Sequence, residues 1–238
     1  FDTKLEINLD NNKKSIYVDD NLYKKVSDYI TKLNIVIFYP EDLGIIKDSP
    51  NIRRRYINSE ISQYNNEYLI ILNNYKKINK IRNEYLKKLN YDINLDKQYL
   101  SVINNYYIEN AIKIYFIRNN FIKELNNIVE NIFYDLTNMS GFHLKYINSF
   151  NIEDFDMYSN EDLKEIFYDK LSYHFNSEVK NGSSLIGPHK DDIEFYLNDL
   201  NLKNYGSQGQ QRLAILTIKL AEIEILKKLA KERNKCVI

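Results

Sequence analysis

The sequence predicts a mixed α/β protein in which a long helical arm separates two segments of mixed strands and helices. Alternating apolar and polar residues near both ends are typical of β-strands. Residues 51–140 contain neither glycine nor proline, and their apolar residues recur at helical spacing. Four of the six glycines lie in the last quarter of the chain, directly before a last amphipathic helix. We therefore expect mixed strand and helix structure in residues 1–49 and 141–238, and a helical arm in residues 50–140.

The composition excludes several classes of protein. Hydrophobic residues make up 44% of the 238 residues and charged residues 28%, which is typical of a soluble globular protein. Cys236 is the single cysteine, which excludes an internal disulfide framework, and we expect no metal site from it and the three histidines. Neither a signal peptide nor an apolar run long enough for a membrane is present, so we expect a cytoplasmic protein. The 33 basic and 33 acidic residues balance, so any contact with DNA must be a local basic patch.

The elements of the N-terminal segment are predicted from short patterns. Residues 1–18 alternate around Asp10-Asn11-Asn12 and indicate a β-hairpin. A short amphipathic helix is expected at residues 22–30, and a buried strand at residues 33–39, where an apolar, β-branched run ends at a proline. Ser49-Pro50 indicates a helix start, with serine as N-cap and proline at the first helical position.

The arm is predicted as two long antiparallel helices that are broken near residues 91–95. After it we expect strands at residues 142–147, 184–186 and 193–197, a helix at residues 159–175, a long helix at residues 209–231 and a strand that begins at Cys236. Because the chain begins and ends in predicted strands, we expect it to be a fragment of a longer protein.

Two glycine-containing segments carry the chemistry. The first is Gly187-Pro188-His189-Lys190-Asp191-Asp192, and the second is Ser207-Gln208-Gly209-Gln210-Gln211-Arg212, which leads directly into the last helix. Backbone N–H groups at a helix start and the positive end of its dipole favour an anion. The Ser207 hydroxyl and the Gln208 and Gln210 amides add donors, and Gly209 permits close approach. The alternative is that Ser207 is an ordinary N-cap.

The second segment resembles the signature motif of ABC-type ATPases in the form found in the RecF family, which is related to SMC proteins. The first segment is similar to that family's Gly-Pro-His-Arg/Lys-Asp-Asp block. A third resemblance lies in Phe38-Tyr39-Pro40-Glu41-Asp42-Leu43, followed by Pro50 and Arg53-Arg54-Arg55-Tyr56, and Cys236-Val237-Ile238 stands where the Walker B strand would begin. The arm matches only in pattern, Tyr39 replaces the usual serine, and Lys190 replaces the commoner arginine. The resemblance implies an incomplete ABC-type α/β ATPase lobe, built from residues 1–49 and 141–238, with an inserted antiparallel helical arm at residues 50–140.

The nucleotide-binding motifs of this family are not among the 238 residues. Neither the P-loop pattern GxxxxGK[ST] nor the Walker B aspartates occur in the sequence. ATP and Mg²⁺ are therefore implied only for the complete protein, which in this family has a weak DNA-stimulated ATPase activity. We expect the 238 residues alone not to hydrolyse ATP.

The resemblance implies roles for individual residues. The signature of one protomer would close over ATP held by the other in an ATP-dependent homodimer, with Ser207, the Gly209 amide and Gln210 at the γ-phosphate. Gln208, Gln211 and Arg212 belong to the same candidate site, although a structural salt bridge is an alternative for Arg212. Glu41 would sense magnesium and nucleotide at the junction with the arm, unless Glu41 or Asp42 only caps the next helix. His189 would contact a phosphate or water, or be a satisfied loop residue.

The resemblance also implies DNA, single- and double-stranded and including gapped junctions, and the partners RecO and RecR, with which RecA is loaded in gap repair and the SOS response. Arg53, Arg54 and Arg55 at the base of the arm, together with Lys190, are the candidate DNA contacts. Further basic residues follow along the arm: Lys76, Lys77, Lys80, Arg82, Lys87 and Lys88. The alternative is a solvated helix face. Two other functions remain open, namely another SMC-like ABC ATPase and a helical interaction scaffold without nucleotide chemistry.

Overall fold

The N-terminal part of the lobe contains a three-stranded antiparallel sheet. The computed structural model describes residues 4–10, 13–23, 35–92 and 95–233. Strands β1 (Leu5–Asp10), β2 (Lys13–Val18) and β3 (Asn21–Tyr23) pair in sequence order. The predicted hairpin is thus confirmed, whereas β3 occupies the start of the predicted helix at residues 22–30, most of which lies outside the described residues.

The strand predicted at residues 33–39 is not present in the part of this segment that is described. Residues 35–39 form no ladder with any described strand, and Ile37, Phe38 and Tyr39 are about half exposed, at 46%, 51% and 53%. Tyr39 has extended φ and ψ angles of −120° and 151°, so the backbone at this residue is extended although no described strand pairs with it. A 3₁₀ turn, Pro40–Leu43, and the short helix α1, Gly44–Lys47, follow.

The arm consists of three helices rather than the predicted two. They are α2 (Pro50–Tyr64), α3 (Asn66–Tyr91) and α4 (Lys97–Thr137). Asn65 separates α2 from α3 because its backbone is extended and its side chain accepts the Tyr68 N–H as an N-cap. The predicted break between the two long helices is confirmed, and Asp96 caps α4 there. Ser49 and Pro50 occupy the predicted N-cap and first positions of α2.

The C-terminal part contains a second antiparallel sheet and two long helices. Strands β4 (Phe142–Ile147), β5 (Asp192–Leu197) and β6 (Leu200–Asn201) pair in that order, and β4 and β5 confirm the predicted strands. The helices are α5 (Asn160–Asn181), the short α6 (Leu202–Tyr205) and α7 (Gln208–Arg233). The short turn Phe155–Met157 precedes α5.

Of two further strands predicted for this part, one is a loop and the other lies outside the described residues. Residues 184–186 form a loop and not a strand, because the loop hydrogen-bonds with the arm: the Ser184 N–H donates to Asn83 Oδ1 at 2.7 Å. Residues 236–238 lie outside the described residues. Helix α5 extends beyond its predicted end to Gly182, whose left-handed backbone (φ 59°) terminates it.

One continuous apolar core joins the arm to the lobe. It includes buried residues of α2 and α4, of the second sheet and of α7, with Tyr115 stacked on Phe155 and Phe150 stacked on Phe167. Because helices of the arm and of the lobe share this core, their relative positions are fixed by packing. Among the described residues, no helix combines the length and apolarity that a membrane span requires.

Candidate nucleotide-binding site

The start of α7 is closed by a reciprocal pair of hydrogen bonds. Ser207 Oγ accepts the Gln210 N–H at 3.2 Å, and Gln210 Oε1 accepts the Ser207 N–H at 2.9 Å. The Ser207 carbonyl accepts the Gln211 N–H at 3.0 Å, the first bond of the helix. This arrangement is a capping box, so Ser207 is the N-cap that the alternative interpretation expected.

The same helix start faces outward. Ser207, Gln208 and Gly209 are exposed, and a Cβ atom added to Gly209 would meet only Ser207 Oγ, at 3.9 Å. The first N–H groups of a helix have no partner within the helix, and they lie at the positive end of its dipole. The Ser207 hydroxyl accepts in the capping box, which leaves its proton free to donate. The cap uses the Ser207 and Gln210 N–H groups, whereas the Ser207 hydroxyl proton and the Gly209 N–H stay available, so this start fits a phosphate group.

The next side chains fix the helix start from the inside. Gln211 is 3% exposed, and its Nε2 donates to the Leu202 carbonyl at 2.7 Å. A Cβ atom on Gly206 would lie 2.6 Å from the same carbonyl oxygen, so the approach of α6 to α7 requires glycine there. Gln211 is thus a structural residue, contrary to the expectation that it contacts nucleotide. The Arg212 side chain is exposed, and within the described part of the chain no ion pair or hydrogen bond joins it to another residue, so the alternative of a salt bridge finds no support there.

His189 is bonded through both ring nitrogens. Its Nδ1 lies 2.6 Å from the Tyr75 hydroxyl, and its Nε2 lies 3.1 Å from the Ser184 carbonyl oxygen. Burial lowers the pKa of His189 to about 4, so the ring is neutral at pH 7, donates through Nε2 and accepts through Nδ1. The interpretation of His189 as a satisfied loop residue therefore fits the structure, and a contact with phosphate does not.

Gly187 permits the loop to approach the arm. Its φ of +130° is a conformation that side chains disfavour, and an added Cβ atom would collide with the hydroxyl oxygens of Tyr75 and Tyr107. The Tyr107 hydroxyl also donates to the Ile186 carbonyl at 2.5 Å. Two tyrosines of the arm therefore hold the backbone of this loop.

Asp191 forms the centre of a buried polar network. Its carboxylate, 1% exposed, accepts from Arg118 at 3.2 Å and from the Tyr115 hydroxyl at 3.1 Å. Arg118, itself 2% exposed, also donates to the Pro188 carbonyl at 2.9 Å. Burial raises the pKa of Asp191, and the charge of Arg118 opposes that rise. Further donors to Asp191 are the Tyr146 hydroxyl at 2.5 Å and the Ser149 N–H at 3.0 Å.

Arg53 and Arg54 are bonded within the protein. Arg53, 3% exposed, donates from Nε and Nη2 to the Asp192 carboxylate at 2.6 and 2.9 Å, and from Nη1 to the Asp48 carbonyl at 2.8 Å. Arg54 donates to the Asp191 carbonyl at 2.5 Å and to Asn51 Oδ1 at 2.6 Å. The expectation that Arg53 contacts DNA is therefore wrong, and most of the Arg54 donors are used in bonds within the protein. Consecutive helical residues point about 100° apart, so only part of such an arginine run faces solvent.

The other candidate residues are likewise either bonded within the protein or exposed. Arg82 of the arm is 1% exposed and pairs with Glu178 at 2.6 Å, which corrects its interpretation as a DNA contact. Arg55 and Lys190 are exposed. Glu41 is exposed in the 3₁₀ turn, whereas Asp42 Oδ2 accepts the Tyr39 N–H at 2.8 Å and so has the capping role that the alternative gave it.

The residues that sequence reasoning missed are polar groups on buried helix faces. Arg118 lies between Tyr115 and Ile122 on the buried face of α4, and Tyr75 lies on the buried face of α3. An arginine at a core-facing position of an amphipathic helix is the signal that could have identified a buried ion pair, because such a charge needs a partner.

Three known proteins that are similar to this chain share one description. No family model matches it. The DNA replication and repair protein RecF of Ligilactobacillus salivarius is 36% identical over 225 residues, or 94% of this chain and 59% of that protein. The proteins of the same name from Staphylococcus epidermidis and Staphylococcus aureus are 38% and 40% identical, each over 90% of this chain and 57% of their own length. The chain thus spans less than two thirds of these relatives.

Two solved structures have the same fold as this chain. One, described as the recombination mediator protein RecF-ATP in the RecFOR pathway, has a TM-score of 0.89 and covers 99% of this chain and 62% of its own. The other, RecF-ATPrS of the same pathway, has a TM-score of 0.87 and covers 98% and 61%. Both are 29% identical to this chain. The expected ABC-type α/β fold with its helical arm is confirmed by this similarity.

Proposed function

The chain belongs to the RecF family of DNA replication and repair proteins, and on this premise we propose that it supplies the signature side of an ATP-dependent DNA-binding clamp. The observation that carries the proposal is the exposed start of α7. There Ser207 and Gly209 leave hydroxyl and backbone donors available for an anion. The name of one solved relative includes ATP, which supports a triphosphate as that anion.

In this proposal two protomers associate head to head. The start of α7 in one protomer contacts the phosphates of ATP bound by the nucleotide-binding motifs of the other. Ser207, the Gly209 amide and Gln210 are the contacts, and Mg²⁺ accompanies ATP in the complete protein. The γ-phosphate of ATP supplies a negative charge between the two protomers, and hydrolysis removes it. Association of the protomers therefore depends on the γ-phosphate.

DNA binding in this proposal uses the basic residues that remain exposed. Arg55 and Lys190 are exposed, whereas Arg53 is bonded internally. Lysine and arginine neutralise phosphates without reading sequence, which suits a clamp on single- and double-stranded DNA and gapped junctions. Recruitment of RecO and RecR and loading of RecA in gap repair and the SOS response complete the proposed function.

The experiment places residues 1–238 in the matching segment of the Staphylococcus aureus RecF protein and measures binding of this chimaera to a gapped duplex by fluorescence anisotropy. We expect ATP to tighten binding, with the unmodified relative as the positive control. Arg55→Gln and Lys190→Gln should each reduce the slope of log K against log salt by about 1, because each removes one phosphate contact. Equal binding with and without ATP, while the relative responds to ATP, would favour a scaffold.

A further inference from the structure

Helices α2 and α7 meet at a buried cluster of charged residues. Lys219 of α7, 9% exposed at its side chain, lies with Nζ 3.2 Å from Glu222 Oε2 and 3.8 Å from Glu60 Oε1 of α2. The Glu222 side chain is 2% exposed and that of Glu60 is 12% exposed. The Tyr56 hydroxyl donates to the second oxygen of Glu222, and Lys219 Nζ also lies over the Tyr56 ring. This contact connects the base of the arm to the helix that begins at Ser207.

The charges in this cluster do not balance. Two carboxylates share one ammonium group, and Asp42 adds a further negative charge nearby. A buried carboxylate without a counter-charge costs several kcal/mol, and such groups commonly take up a proton instead. Protonation of one of the two glutamates leaves Lys219 and the other glutamate as a neutral ion pair.

We propose that Glu60 carries this proton at neutral pH, and that the contact between α2 and α7 is a proton-linked latch between the arm and α7. Two distances place the proton on Glu60. Glu222 is nearer to the Lys219 ammonium and accepts the Tyr56 hydroxyl, so its ionised form is the better stabilised. Glu60 lies 3.8 Å from the ammonium and otherwise accepts only from Gln63 Nε2, at 3.0 Å, among the described residues.

The electrostatic environment agrees with this placement. Burial, together with the charge of Glu222, raises the pKa of Glu60 to about 8, and burial also raises the pKa of Glu222. The folded chain therefore holds a proton that an unfolded glutamate releases near its ordinary pKa of 4.5. Stability from this group is complete below that value and is lost as the pH rises towards 8. The titratable and charged groups that face the cluster or line the cavity beside it are Asp42, Arg55, Tyr56, Lys76, Lys219 and Glu222.

The latch has a consequence for α7. When Glu60 is ionised, two buried carboxylates repel each other across the contact, and α2 and α7 are pushed apart. Alkaline pH therefore loosens the packing of the arm against α7, the helix whose N-cap is Ser207. This consequence does not depend on ATP or DNA binding, so it can fail or succeed separately from the proposed function.

Unfolding of the 238-residue chain by urea between pH 5 and pH 9 tests the latch. In the wild type this proton makes the unfolding equilibrium constant rise by up to about tenfold per pH unit below pH 8. Glu60→Gln, which keeps the shape of a protonated glutamate, should remove that part of the slope and be more stable than the wild type at pH 9. Glu224→Gln, an exposed change on α7, should leave the slope unchanged. If Glu60→Gln has the wild-type slope and is the less stable protein at pH 7, then Glu60 is an ionised partner of Lys219 and the proposal is wrong.

Infrared spectroscopy of the wild-type chain provides a measurement that does not depend on any variant. A protonated carboxyl has a C=O stretch that is separate from the carboxylate bands. We expect this band at pH 7 and its loss with a midpoint near the pKa of about 8. Its absence at pH 7 would overturn the proposal even if the Glu60 variants failed to fold.

Discussion

The two glycine-containing motifs of this chain differ in their exposure to solvent and in their bonding partners. In the Gly187-to-Asp192 loop, the polar side chains of His189, Asp191 and Asp192 are bonded to the arm or to the loop itself. At the start of α7, Ser207 and Gly209 are exposed and retain free donors. Both segments match the same family, yet the Gly187-to-Asp192 loop, here called the inner motif, braces the fold, and the start of α7, the outer motif, presents a surface. The difference teaches that a motif's specificity does not reveal its role, whereas burial and bonding partners do.

The largest effect should come from Arg118→Met. This change leaves the Asp191 carboxylate buried without its counter-charge, and we expect a loss of about 3–5 kcal/mol in the free energy of unfolding, measured with urea. Adding Asp191→Asn to Arg118→Met should recover part of the loss, because the unpaired charge is removed. A loss below about 1 kcal/mol in the single variant would mean that the inner motif does not brace the arm.

Gly187→Ala and Gly209→Ala compare the same change in the two motifs. At Gly187 the added methyl group meets two tyrosine hydroxyls at a positive φ, so we expect a loss of about 2–4 kcal/mol in unfolding free energy. At Gly209 the space is open, and alanine should be neutral or stabilise by up to about 1 kcal/mol. Equal losses in urea unfolding would remove the distinction between the two motifs.

The lowered pKa of His189 makes the stability of the folded chain depend on pH. Its pKa is lowered to about 4 in the folded chain, so the unfolded chain binds the proton first. Stability from this group is present above its ordinary pKa of 6.5 and is lost as the pH falls towards 4, by on the order of 2–3 kcal/mol. Unfolding measured from pH 7 to pH 4 should show a smaller decrease for His189→Asn. The exposed His143 offers the matched control, His143→Asn, which should behave as the wild type.

The smallest changes in stability are expected at the outer motif. Ser207→Ala removes the N-cap and should cost about 1 kcal/mol in unfolding free energy. Ser207→Asn and Ser207→Asp keep a good N-cap and should both unfold within about 0.5 kcal/mol of the wild type. A large loss for Asn or Asp would show that Ser207 has a structural role beyond the cap.

The sequence predicts the strongly periodic parts of the fold well. The hairpin, β4, β5 and α7 follow from alternation or helical spacing, which depend on local residues alone. Residues 35–39 show where such reasoning fails, because an apolar run becomes a strand only when another strand lies beside it. The break at Asn65 was also missed, since a single asparagine that caps the next helix gives a weak signal.

The candidate site could be predicted in part. The outer helix start followed from its serine, glycine and glutamines, because capping and anion binding depend on the first turn of a helix. The internal roles of Arg53 and Gln211 could not be predicted, since their partners, Asp192 and the Leu202 carbonyl, come close only in the folded chain.

The central claim is that the start of α7 faces a nucleotide. Its most direct test is light scattering of the Staphylococcus aureus chimaera with and without ATP, comparing Ser207→Asp with Ser207→Asn. Both variants keep the cap, but only aspartate places a negative charge where a phosphate would lie. We predict that ATP dimerises the wild type and the asparagine variant, while the aspartate variant stays monomeric at the same stability. Equal ATP-driven dimerisation of both variants would contradict the claim and leave Ser207 as a helix cap alone.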